Sequence, residues 1–379
     1  MIGNLDLNQL QVIWWVIVSL VGGLFIAMTF VQGGQTLLAT VARTETEKSL
    51  IINSLGRKWE LTFTTLVLFG GAFFAAFPLF YATSFGGAYW VWILILFTFI
   101  VQAVSYEYRK KPDNLLGAKT YEVFLFINGS VGLLLIGAAV GTFFTGSNFH
   151  LNDYHYVTWT NPLRGLEAAF SLFNLSLGFF LVFLARVLGA LYLTNNIVHA
   201  DLEQRLRKAS LLNLIYSLPF LLYVLIDLVM MSGFSVNPAT GIVAMEKGKY
   251  LHNLLAMPVQ GLGFLLVGLV LVILGVVTNA FTEKRGGIWF GGVGTVLVVL
   301  AIFFTAGLNN TPFYPSKFDL QSSLTIHNAS SSHYTLTAMS YVALAVPFVL
   351  AYIAYVWRAM DLRKMSKEDL DGENAGKLY

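Results

Sequence analysis

Long apolar runs separated by short polar segments set the pattern of this chain. A transmembrane helix needs about 20 mostly apolar residues. Nine stretches meet that length, roughly 11–32, 62–83, 88–106, 121–145, 165–192, 210–232, 258–280, 288–307 and 335–357. The expectation is an all-α, polytopic integral membrane protein with a single membrane domain over 1–379. An odd number of spans puts the termini on opposite sides, and 361–379 reads as a polar tail that frays into the cytoplasm.

Composition agrees with this class. Of 379 residues 56% are hydrophobic and 11% charged, against about 25% charged in a soluble domain. The absence of cysteine excludes a disulfide framework, cysteine-ligated zinc, iron–sulfur clusters and thiol nucleophiles. A net charge of +3 gives no reason to expect nucleic acid.

The distribution of charge sets an orientation. Taking loops alternately, one side holds eighteen Lys and Arg, among them Arg57, Lys58, Arg109, Arg205, Arg207 and Arg285, and the other holds four. Basic loops stay in the cytoplasm, so the N-terminus is expected outside and the C-terminus inside. The first 42 residues contain no Lys or Arg, so the first helix is expected to be retained rather than cleaved as a signal peptide. Trp14, Trp15, Trp59, Trp90, Trp289 and Trp357 stand at helix ends, where headgroup anchoring is the simplest expectation. Glycines inside the spans, such as Gly33–Gly34 and Gly291–Gly292, predict close helix packing.

Candidate chemistry is sparse. No histidine falls mid-membrane: His150, His155, His327 and His333 lie in outer loops, His199 in an inner loop and His252 just before the seventh span. A haem in the bilayer needs an axial ligand from a helix, so haem ligation by this chain is not expected. The loop pairs His150/His155 and His327/His333 have spacings a metal could use, with solvated loop residues as the simpler reading. Ionisable groups at the ends of spans are the positive signal. Glu60 opens the second span, Glu107 closes the third and Glu122 begins the fourth, all on the basic side. Basic neighbours make interfacial pairing the alternative for Glu107 and Glu122, whereas only an apolar helix follows Glu60. Arg186 and Asp227 lie towards opposite faces, so they are not expected to pair, and Arg186 is expected to snorkel inward.

Several ordered segments carry a family resemblance: IWW at 13–15, TEKSLIINSLGRKWE at 46–60, GGAFFAAFPLFYATSFGGAY at 70–89, YEYRKK at 106–111, NNTPFYP at 309–315 and SSLTIHNASSS at 322–332. The chain resembles subunit II of the cytochrome bd-type quinol oxidase from end to end. The resemblance implies two four-helix bundles plus a peripheral helix in a bacterial inner membrane. It also implies a heterodimer with subunit I, which would hold two haems b, haem d and the quinol-oxidising loop. Subunit II would serve assembly and haem retention, in contact with membrane lipid, with a small extra subunit and a structural quinone as further family features to which no residue is assigned. The family's Trp–Asp pair, implicated in proton delivery, corresponds to Trp59–Glu60. Many relatives end the first helix with Asp-Gly-Phe-Asp, where this chain reads Met28-Thr29-Phe30-Val31 followed by Gln32-Gly33-Gly34-Gln35. Gln32 and Gln35 can hold water but cannot titrate. The proton-path candidates are therefore Glu60 and Trp59, then Glu107, Glu122 and Gln32. A secondary transporter or proton channel is the second reading, and it would need a polar midplane site from broken helices.

Overall fold

The computed structural model describes residues 2–111, 113–362 and 364–371. Among these, nine helical stretches are long and apolar enough to cross a membrane. The first is α1 (Leu7–Met28) continued by α2 (Phe30–Val41), and the second is α3 (Glu45–Gly56) followed by α4 (Trp59–Ala76). After α5 (Pro78–Tyr81) come α6 (Tyr89–Tyr108), α7 (Ala118–Ile127) with α8 (Leu133–Thr145), α9 (Leu172–Asn196) and α10 (Ala200–Met230). The chain continues with α11 (Lys249–Ala256), α12 (Phe264–Phe281), α13 (Gly287–Gly307), α14 (His333–Ala343), α15 (Val346–Asp361) and α16 (Lys367–Asp371).

Local chemistry explains where these helices begin and break. Asp6 caps α1 by accepting from the Gln9 amide at 2.8 Å while the Gln9 side chain accepts from the Asp6 amide at 3.1 Å, a reciprocal box that satisfies two otherwise unpaired donors. Thr44 and Glu47 repeat the device at α3. Thr29 interrupts the first span by turning its hydroxyl onto the Ile26 carbonyl at 2.6 Å, yet the helix resumes at once. The combined 35 residues run for about 50 Å, well beyond the ~30 Å of hydrocarbon.

α9 is the most enclosed span and packs against α2, α8, α10 and α13. Its contact with α2 is backbone on backbone. A Cβ on Gly33 would lie 1.8 Å from the Ala185 carbonyl oxygen, and one on Gly189 would lie 2.3 Å from the Gly34 nitrogen. Only glycine admits that approach. Nearer the hairpin-bearing end, Trp15, Phe73, Phe77, Phe80, Phe143 and Phe313 interlock edge to face. Trp14 and Trp15 are core residues rather than headgroup anchors: both are buried, and their indole N–H groups donate to Leu336 and Phe303 carbonyls.

Two antiparallel hairpins, β1 (Phe149–Leu151) with β2 (Val157–Trp159) and β3 (Ser232–Val236) with β4 (Val243–Lys247), cover the end opposite the basic loops. Asp319 fastens the first hairpin to the loop before α14. Its carboxylate accepts from the Ser322 hydroxyl at 2.6 Å and the Gln321 amide at 3.1 Å, and meets His150 Nδ1 at 3.2 Å. The Ser322 hydrogen bond first, then the Gln321 amide and His150, hold its carboxyl below the ordinary value against the opposing effect of burial. A carboxyl lowered in the fold stabilises it fully above the unfolded value of about 3.9 and loses that stabilisation as pH falls through the lower folded value. Melting temperatures of wild type and Asp319→Asn are therefore expected to differ at neutral pH and to converge on acidification. A constant offset down to acid pH would contradict this assignment.

At the basic end the tail is better ordered than its polarity predicts. Met365 is buried, exchanges backbone hydrogen bonds with Asn196 and Val198 at 2.9 Å each, and leads into α16 packed on α3. Residues 372–379, also expected to fray, lie outside the described residues.

Candidate functional site

The three predicted carboxylates have three different surroundings. Glu107 is exposed and forms a helix-surface pair with Lys111 at 3.3 Å, an arrangement worth a few tenths of a kcal/mol, about 0.3–0.5. Glu122 is mostly buried and accepts two bonds from the Arg109 guanidinium, at 3.1 and 2.6 Å, and one from Lys48 at 3.0 Å. Glu45 closes this cluster by accepting from Arg109 at 3.0 Å and Lys48 at 2.9 Å. Glu60 sits in the first turn of α4 on its outward face, exposed, and its carboxylate has no ion pair among the described residues. A negative charge there is favoured by the helix dipole by about 0.3–1 kcal/mol.

Trp59 starts α4 because the chain turns at Gly56–Lys58, and its ring stacks on Tyr106 of α6 at 5.8 Å and 8°. Such a pair contributes about 0.5–1.5 kcal/mol beyond area burial. The Trp59 indole nitrogen is buried and meets no acceptor among the described residues.

One helical turn from Tyr106 lies Gln102, the centre of a buried amide track. Gln102 donates to Gln35 Oε1 at 2.6 Å, and Gln32 donates to Gln102 Oε1 at 3.5 Å. Gln35 in turn donates to the Leu125 carbonyl at 3.2 Å and to Asn128 Oδ1 at 3.1 Å, and Asn128 donates to Thr98 at 3.4 Å. All five side chains are buried, and Gln32 Oε1 has no partner among the described residues. A π-helical turn over Asn128–Gly132 joins α7 to α8 where Asn128 enters the track, in keeping with the frequency of such bulges at functional positions.

The track opens to the basic end. A cleft of about 780 Å³ between α2, the start of α3 and α7 is lined by Gln35, Leu38, Glu45, Lys48, Lys119 and Glu122. The structure thus brings Gln32, Gln35 and Glu122 into one polar region and sets Trp59 beside it through Tyr106. It leaves Glu107 out of that region and turns Glu60 away from it.

Two charged groups have partners that the sequence does not show. Lys58 is 1% exposed and pairs with Asp361 at 3.1 Å beneath the Trp357 ring. Asn196 and Trp357 donate to the same carboxylate at 3.0 and 2.6 Å. Arg186 is held by Asn213 at 2.7 Å and by Thr36 at 2.8 and 3.1 Å. A lone cation or amide inside an apolar run was the available signal for Arg186, Gln102 and Asn128.

Comparison with known proteins gives this geometry its context. Residues 10–360 match the family model described as cytochrome bd terminal oxidase subunit II. The chain belongs to this family. It is 30% identical to a Haemophilus influenzae protein named "Probable cytochrome oxidase subunit 2", over 93% of this chain and 94% of that one. It is 29% identical to the cytochrome bd-I ubiquinol oxidase subunit 2 of Escherichia coli K12, over 99% and 100%, and 25% identical to the Bacillus subtilis cytochrome bd ubiquinol oxidase subunit 2, over 94% and 96%. A solved structure of bd oxidase from Geobacillus thermodenitrificans shares the fold, with a TM-score of 0.55 at 12% identity over 92% of this chain and 97% of that one. The protein is accordingly a multi-pass bacterial inner-membrane subunit of a terminal oxidase complex that contains haem and a partner subunit I.

Five of the six histidines of this bd oxidase subunit II have a hydrogen-bond partner among the described residues. His150 engages Asp319, His252 engages Glu246 at 2.9 Å, His327 engages Gln11 at 2.8 Å, His333 donates to the Leu5 carbonyl at 2.8 Å and His199 caps α10.

Proposed function

We propose that this chain is the non-haem-ligating subunit II of a respiratory quinol:oxygen oxidoreductase and carries protons from the cytoplasm towards the haem-bearing subunit I. The excess of Lys and Arg at the basic end supports its placement in the cytoplasm. Subunit I would hold the two haems b and haem d and oxidise quinol at the opposite face. Reduction of oxygen to water then consumes protons that must enter from the cytoplasmic side, so charge separates without a pump.

The observation that carries the proposal is the buried amide track reaching from the Glu122-lined cleft through Gln35 and Gln102 to Gln32. Amides do not titrate, but they orient water, and the unpaired Gln32 oxygen and Trp59 indole N–H each call for a hydrogen-bond partner. In this reading Glu122 serves the mouth of the track, and the outward-facing Glu60 beside Trp59, outside the track, is a second titratable group at the cytoplasmic entrance. The paired charges Arg109, Lys48 and Glu45 hold the cleft open. Assembly and haem retention would rest on the same outward faces.

Glu60→Gln in the intact complex is expected to slow oxygen consumption and proton uptake while the haem spectrum stays intact. Loss of haem would make the residue structural, and unchanged rates would place delivery elsewhere. Substrate uptake by proteoliposomes containing this chain alone would favour a transporter instead.

A further inference from the structure

We infer that Arg186 and the aromatic stripe beside it bind the phosphate and one acyl chain of an anionic glycerophospholipid in the leaflet at the basic end. The guanidinium lies on a membrane-spanning helix, and every acceptor it meets is neutral. Nε donates to Asn213 Oδ1 at 2.7 Å, and Nη1 donates to the Thr36 hydroxyl and carbonyl at 2.8 and 3.1 Å. Among the described residues no carboxylate pairs with it. A cation in a span with no charged partner is costly, and an anion from outside the chain would relieve that cost.

The open side of the guanidinium shows where that charge sits. Nη2 makes one contact, 3.4 Å to the hydroxyl of the exposed Thr40, so its protons face outward between α2, α9 and α10. The level is that of headgroups: Asn213 stands just inside the point where α10 changes from the basic segment Arg205–Lys208 to the apolar run beginning at Leu211.

Below Arg186 the surface suits an acyl chain. Phe183 and Phe179 follow it along one face of α9, and Tyr216 and Phe220 follow Asn213 along one face of α10. Their rings meet in a ladder, with Phe183–Tyr216 at 5.9 Å, Phe183–Phe220 at 5.8 Å and Phe179–Phe220 at 5.2 Å. Tyr216 is 52% exposed. The ladder descends about 10 Å from the cation towards the midplane, which a free inorganic anion would not need. A single fixed charge matches a phosphodiester.

The purified oxidase complex, stripped of lipid and supplied with phosphatidylglycerol or phosphatidylcholine in detergent, tests the site by native mass spectrometry. Wild type is expected to retain phosphatidylglycerol about fivefold better than phosphatidylcholine. Arg186→Gln is expected to abolish that preference. So is Thr40→Asp, which supplies an internal carboxylate to the same guanidinium and keeps the fold if Arg186→Gln does not assemble. Equal retention of the two lipids by wild type, an undiminished preference in Thr40→Asp, or a quinone as the retained molecule would each overturn the inference.

Discussion

Replacing Gln102 with leucine is expected to lower quinol-driven oxygen consumption about tenfold while the haem spectrum of the complex stays unchanged. The substitution keeps an apolar helix apolar and close to its original volume. It removes both links that Gln102 makes, the bond donated to Gln35 and the bond accepted from Gln32, and so cuts the track at its centre. The Gln35 oxygen then loses the Gln102 donor in a buried setting, which costs about 1–3 kcal/mol. Gln102→Glu separates the two effects, because it preserves polarity at the same position and should restore turnover if proton passage is the cause. Oxygen electrode rates, proton uptake and thermal melts on the same preparations decide between them. Full activity in the leucine variant would show the track to be structural.

The second large effect concerns Asp361. Asp361→Ala leaves Lys58, 1% exposed, as a buried cation without its counter-charge, and breaking a buried pair from one side costs about 3–5 kcal/mol. The ninth span makes this damage local. It is the least enclosed of the nine spans, and around Asp361 it is held by the Lys58 pair and the Asn196 bond to a carboxylate that Trp357 of the same helix also binds. Hydrogen exchange should rise over Val346–Asp361 and much less elsewhere. A double variant, Lys58→Met with Asp361→Leu, is expected to recover much of the loss, since apolar replacement of a buried pair is often neutral or better. If the single variant melts like wild type, the pair is not a fastening of the ninth span.

Much of the architecture was legible because a bilayer demands long apolar runs, and among the described residues nine helical stretches are long and apolar enough to span it. What the runs hide is which helices meet. Gln102 stands alone in YWVWILILFTFIVQAVSYEY, and nothing local says that its face meets Gln32 and Gln35, some seventy residues earlier. The partners of Arg186, Thr36 and Asn213, belong to two other helices and do not show beside it in the sequence. Asp361 was read as the first residue of a tail, although it ends α15 and reaches back to Lys58. Glu122 had a visible neighbour in Arg109, but the contributions of Lys48 and Glu45 depend on α3 folding back beside α7. Trp14 and Trp15 misled in the opposite direction, since aromatic residues near a helix end read as headgroup anchors and here fill a core. In each case the missing information was long-range pairing, which periodicity does not encode.

The backbone contact of Gly33 and Gly34 with α9 falls between Gln32 and Gln35. Rotation of α2 to shift either amide would bring a Cβ-bearing neighbour against the α9 backbone, where only the glycines fit. Rearrangement of the track is left to side-chain torsions, which relax in picoseconds to nanoseconds at exposed sites and remain local when buried. A relay mounted this way has no slow mechanical step of its own, so its throughput would follow hydration and the charge state of its two ends rather than the breathing of the helices around it.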